Sequence, residues 1–137
     1  MEVEQSRATG WIAWVLFGGI LLVLLGTLHF CLGLIALLRP EVLAGTRSDQ
    51  LLPVSLTALA WVHLVLGVVA VVTGVGLVRG FTWARAGAIV IGCLAALVNF
   101  VFLHTHPAWS VIAVGLSAVI VYSVAAHGGE LADAYGS

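Results

Sequence analysis

AGAIVIGCLAALVNFVFLHTHPAWSVIAVGLSAVIVYSVAAHGG, residues 86–129, contains no Asp, Glu, Lys or Arg. As one helix rising 1.5 Å per residue it would be about 65 Å long, twice the thickness of a bilayer core. The segment must therefore fold back on itself. The place for the reversal is His104-Thr105-His106-Pro107, which is polar and ends in a proline that cannot continue a helix. This reading gives a third span of about Trp83 to His104 and a fourth of about Ala108 to His127. Gly128-Gly129 is the stop signal of the last helix, and His127 beside it is read as a cap on the final carbonyls.

Two further spans precede this segment. The first runs from about Trp11 to Leu38 without a formal charge and closes at Arg39-Pro40-Glu41. The second begins just after Pro53, at about Val54, and ends at Val78 before Arg79-Gly80. Residues 1–10 and 128–137 are left as short tails. The fold class is all-α: a polytopic membrane protein with four transmembrane helices in an antiparallel bundle. Composition agrees, because 62% of the 137 residues are hydrophobic, 8% are charged and the mean hydropathy is +1.19, outside the range of soluble domains.

Composition also removes several functions. Five Arg, no Lys and six acidic residues leave a net charge of −1, too little positive charge to hold a nucleic-acid backbone. Without Lys there is no side-chain amine for Schiff-base chemistry. No Asp or Glu lies within a span, so carboxylate-based proton coupling has no residue to carry it. Cys31 and Cys93 form no Cys-x-x-Cys and read as small apolar packing residues. No phosphate-cradling glycine loop is present, and no catalytic residue is assigned.

The lipid bilayer is the first partner, and orientation in it follows from Arg placement. Arg7, Arg79 and Arg85 share the side of the termini, against Arg39 and Arg47 in the loop from Arg39 to Pro53, which places the termini in the cytoplasm. Glu2 and Glu4 beside Arg7, with an apolar stretch far longer than a secretory one, read as a retained first span. Trp11, Trp14 and Trp83 form an interfacial belt on the side of the termini, and Trp109 anchors the opposite face. The loop from Arg39 to Pro53 mixes Val42, Leu43, Leu51 and Leu52 with charges, as a segment lying on the outer surface would.

Apolar helices in lipid gain nothing hydrophobic by meeting, so small residues that let backbones approach must drive packing. Gly19, Gly26 and Gly33 repeat every seven residues in the first span; Ala60, Gly67, Ala70 and Gly74 share a face of the second. Ala88, Gly92, Ala95 and Asn99 do so in the third, and Ser110, Ala113 and Ser117 in the fourth. The same stripes would serve a homo-oligomer or a larger membrane complex.

Three polar residues stand on these stripes where membrane helices normally avoid them: His29, His63 and Asn99. His29 lies ten residues before Arg39 and His63 ten after Pro53, so antiparallel helices bring both to one depth, about 15 Å below the outer ends. They are the candidate ligand or cofactor site. Three uses are open: hydrogen bonding within the bundle, axial ligation of a haem b or binding of a metal, or a small-molecule or quinone site with Asn99. No cofactor is required by the sequence. His104 and His106 in the turn lack a nearby carboxylate or Cys to complete a metal site.

Several segments together carry a resemblance: Gly10-Trp11, His29-Phe30-Cys31-Leu32-Gly33-Leu34, Trp61-Val62-His63-Leu64-Val65-Leu66-Gly67, Thr82-Trp83-Ala84-Arg85, Pro107-Ala108-Trp109-Ser110 and His127-Gly128-Gly129. From Gly10 to Glu130 the chain resembles a domain-of-unknown-function family of small four-helix membrane proteins from actinobacteria. The resemblance implies four helices in a bacterial cytoplasmic membrane and no assigned activity. His104 and His106 depart from the proline- and aromatic-rich turn usual there. Thr82-Trp83-Ala84-Arg85 is its most specific marker, read physically as an interfacial Trp83 with Arg85 reaching to lipid phosphate. The resemblance leaves function open; because anchors and packing residues are plentiful and catalytic groups are not, the expected function is that of a non-enzymatic accessory, interaction or homo-oligomeric bundle.

Overall fold

The computed structural model describes residues 10–39, 41, 55–104 and 107–135. Among them four helices are long and apolar enough to cross a membrane: α1 (Trp11–Leu38), α2 (Leu56–Val78), α3 (Thr82–Val101) and α4 (Pro107–Ala134). The protein is an all-α, multi-pass membrane protein. Helices are what the sequence must form there, since lipid offers no partner for a backbone N–H or C=O. The outer-surface role read for the loop from Arg39 to Pro53, the tail residues Glu2, Glu4 and Arg7, and His106 lie outside the described residues.

Local chemistry sets the helix ends. Ser55 caps α2, its Oγ accepting from the backbone N–H of Ala58 at 3.2 Å, so the helix begins two residues after the position expected from Pro53. At its other end Gly80 takes φ +80°, its N–H bonds to Leu77 and that of Phe81 to Gly76. This paired 5→2 and 6→1 pattern is a Schellman stop, which needs a residue without a Cβ penalty at the left-handed position. A short 3-10 turn, Phe102–His104, closes α3, and Pro107 opens α4 at the position where a missing N–H costs nothing.

The last helix corrects the sequence reading. Gly128-Gly129 does not end it; α4 runs on to Ala134, and His127 caps nothing. A mid-helix glycine costs about 1 kcal/mol relative to alanine. Two contacts offset that cost. Leu131, in the added turns, is buried in the core, and the hydroxyl of Tyr135 donates to the carbonyl of Val78 at 2.7 Å.

The chain divides into two compact units. In the unit built from the residues before Val23 and those from Thr73 onward, segments of all four helices pack around Val15, Leu77, Ala84, Ala88, Ile120, Val124 and Leu131. Small residues mark each crossing. A Cβ on Gly18 would stand 2.8 Å from Ile120 of α4, one on Gly19 3.1 Å from the carbonyl of Gly74, and one on Gly92 2.5 Å from Val121. The other unit, Val23–Val72, is an antiparallel pair made of the remaining parts of α1 and α2.

Candidate functional site

The Val23–Val72 unit holds the candidate site, and glycines set its geometry. A Cβ on Gly26 would lie 2.7 Å from the carbonyl oxygen of Gly67, and one on Gly33 would lie 2.8 Å from that of Ala60. From the other side, a Cβ on Gly67 would meet Phe30 N at 2.6 Å and Gly26 O at 2.7 Å. No real Cβ fits at such distances, so the two backbones touch, and they do so in a fixed register of seven residues against seven. This is the pairing that the stripes Gly26–Gly33 and Ala60–Gly67 predict.

Between those two contacts stand His29 and His63. Each lies three residues after one small residue and four before the next, and their rings stack with centroids 5.5 Å apart and planes 21° from parallel. Sequence depth and register therefore lead to a direct juxtaposition. Both rings are partly buried. The Nδ1 of His29 is 2.8 Å from the carbonyl of Leu25, and that of His63 is 2.8 Å from the carbonyl of Leu59. A carbonyl only accepts, so each Nδ1 carries the hydrogen and donates it. The tautomer of both rings is thereby fixed, with the lone pair on Nε2. Among the described residues neither Nε2 has a hydrogen-bond partner.

Asn99 belongs to the other unit, and its Nδ2 donates to the carbonyl of Ala95, one turn earlier, at 2.8 Å. Thr27 likewise bonds within its own helix, to the carbonyl of Val23 at 2.7 Å. Cys31 and Cys93 are exposed free thiols, which corrects their reading as packing residues. His104 is exposed in the 3-10 turn, and no group of three or more His, Cys, Asp or Glu able to hold a metal exists among the described residues. Of the tryptophans read as anchors, Trp83 and Trp109 are exposed at 54% and 71%, as lipid-facing residues would be, whereas Trp11 is half-buried against other side chains.

What Trp11 touches is a cluster that the sequence reading missed. Its indole lies on the imidazole of His127, centroids 5.0 Å apart and planes 1° from parallel, with Tyr122 edge-on at 5.1 Å. His127 donates through Nδ1 to Oε1 of Glu130 at 2.6 Å. Arg85 runs across the neighbouring turn, for a Cβ on Gly128 would come within 2.5 Å of its Cδ, and one on Gly129 within 3.2 Å of its terminal nitrogen. The glycine pair is thus a saddle for an arginine stem. The signal lies in the spacing of His127 and Glu130, three residues apart and so neighbours on a helix that continues past Gly129.

No curated protein and no solved structure matches this sequence. A family model described as a domain of unknown function, DUF7144, matches residues 14–129, which include the second and third helices, most of the first and fourth, both histidines of the pair and the His127-Gly128-Gly129 segment. The chain belongs to the DUF7144 family of domains of unknown function.

Proposed function

We propose that this protein works by interaction inside the membrane, as a non-enzymatic homo-oligomer or accessory of a larger membrane complex, and that the His29–His63 pair is its point of contact. One observation carries the reading: two imidazoles held rigidly, partly open to the surroundings, with both Nε2 lone pairs unbonded among the described residues. In hydrocarbon an unmet acceptor is costly, and a donor brought by another helix or copy meets it. The flanking surface suits a helix neighbour, since Leu25, Phe30, Trp61, Val62 and Leu66 are exposed and apolar. Cytoplasmic termini are the orientation that the arginine distribution favours, and a bacterial cytoplasmic membrane is the setting that the family resemblance implies.

Two other uses of the pair are weaker. A haem b between the imidazoles needs them in line through the iron on opposite faces of a porphyrin. Stacked rings, on helices whose backbones touch one turn to either side, offer no slot for that macrocycle. A quinone or other small-molecule site with Asn99 has less behind it, since Asn99 belongs to the other unit and one of its amide hydrogens already goes to the carbonyl of Ala95.

Cysteine chemistry tests the proposal. Leu25, exposed one turn before His29 on the same face, is replaced by Cys in a Cys31→Ser/Cys93→Ser background and cross-linked in intact membranes with a short bis-maleimide. Adducts at twice the monomer mass, or at the mass of one discrete partner, are expected, and both should vanish in His29→Leu/His63→Leu. Adducts that persist unchanged in the double variant contradict a contact through the pair.

A further inference from the structure

We propose that His29 and His63 form one half of a transition-metal site, which the same two residues of a second copy complete. The inference rests on the reading above, that the pair is a point of contact, and names what is held there and by whom.

The ligand chemistry comes first. A metal-binding imidazole is generally oriented by its other nitrogen, which donates to a carbonyl or carboxylate and leaves a basic lone pair for the ion. Both histidines have that arrangement, Nδ1 on a backbone carbonyl at 2.8 Å and Nε2 left over. Spacing agrees. Two imidazoles bound side by side to one ion, each nitrogen about 2.0–2.1 Å from it, bring their ring centroids to roughly 5–6 Å. The observed separation is 5.5 Å with the planes 21° from parallel, so the rings turn out of the stack to bring both in-plane Nε2 lone pairs onto one ion. The helices that carry them are held ready, because the backbone contacts at Gly26–Gly67 and Gly33–Ala60 bracket the pair.

The site is half complete within one chain. Two nitrogens do not close a coordination sphere, and no third His, Cys, Asp or Glu stands with them among the described residues. Cys31, the nearest such residue in sequence, is two positions on, about 200° around the helix, and so faces away. Both rings are partly exposed, and the small residues of this stretch are used up within the chain, so the missing ligands come from outside it. A second copy supplies them by symmetry. An isologous two-fold contact presents the same pair twice and gives four nitrogens, the number that a tetrahedral ion takes. With imidazole as the sole donor, the ions favoured are zinc, copper, nickel or cobalt, and not magnesium or calcium.

Cobalt(II) titration of the full chain in lipid nanodiscs provides the test, with association followed in parallel by fluorescence transfer between labelled copies, with and without EDTA. The expected result is an intense visible band of four-coordinate cobalt, saturating at one ion per two chains. It should weaken at least tenfold in His29→Leu and in His63→Leu, variants whose helical circular dichroism verifies folding. No band, saturation at one ion per chain, or equal binding by the variants overturns the shared site. If wild type associates in EDTA through the histidines, the metal falls and the contact stands. If wild type associates with neither cobalt nor any other protein, both fall.

Discussion

The side chain of Arg85 lies across Gly128, so close that a Cβ there would be 2.5 Å from its Cδ and 3.2 Å from its Cγ. The stem, not the guanidinium, occupies the space, and it cannot swing aside as a free end would. Gly128→Val should therefore lower stability by about 1–3 kcal/mol, the usual cost of overpacking. Gly129→Ala meets only the terminal nitrogen at 3.2 Å and should cost much less. Thermal unfolding of the two variants in one detergent gives the comparison, and equal midpoints would refute the saddle.

The α1–α2 register supplies a second contrast. Valine at Gly67 meets the Phe30 backbone, which has no rotamer to change, and should cost at least as much as Gly128→Val. Gly115 is exposed and has nothing within 4 Å of an added Cβ. Gly115→Ala should be neutral or stabilising by up to about 1 kcal/mol through helix propensity. The difference in unfolding midpoint between the two is the readout.

The contact of Trp11 with His127 should appear as coupling. In a double-mutant cycle of Trp11→Leu and His127→Leu we expect an interaction of about 0.5–1.5 kcal/mol, typical of stacked rings. Glu130→Gln should reduce it, since the carboxylate orients the imidazole through a 2.6 Å bond. Additive single-variant effects would show that the stack contributes nothing.

Tyr135→Phe removes one hydrogen bond, to the Val78 carbonyl, and leaves the ring in place. A loss of about 1 kcal/mol is expected. Faster amide exchange in the last turn of α4, around Leu131 to Ala134, should accompany it. Unchanged exchange would mean that the bond does not hold the helix end.

Much of this architecture was legible because lipid leaves few choices. The 44 uncharged residues 86–129 exceed one bilayer crossing, and that alone imposed a reversal. Glycines seven apart gave the face of α1, and the matching stripe on α2 gave the register that brings His29 to His63. Gly128-Gly129 misled for a physical reason. A glycine pair is a helix stop or a groove, and only the tertiary partner, here the Arg85 stem, decides which. Trp11, read as an interfacial anchor, has as its neighbour an imidazole more than a hundred residues away, a contact that no local spacing reveals. Asn99 sat on a small-residue face, but its amide found a carbonyl of its own helix, an option that spacing does not reveal.

If the His29–His63 pair joins this chain to a neighbour, the association is lost with the two imidazoles. Step-counting of single-molecule photobleaching, on fluorescently labelled protein diluted into native-lipid vesicles, tests the homo-oligomeric form most directly. Wild type should show two or more steps per spot, and His29→Leu/His63→Leu a single step, at the same protein-to-lipid ratio. The same step distribution for both would contradict it.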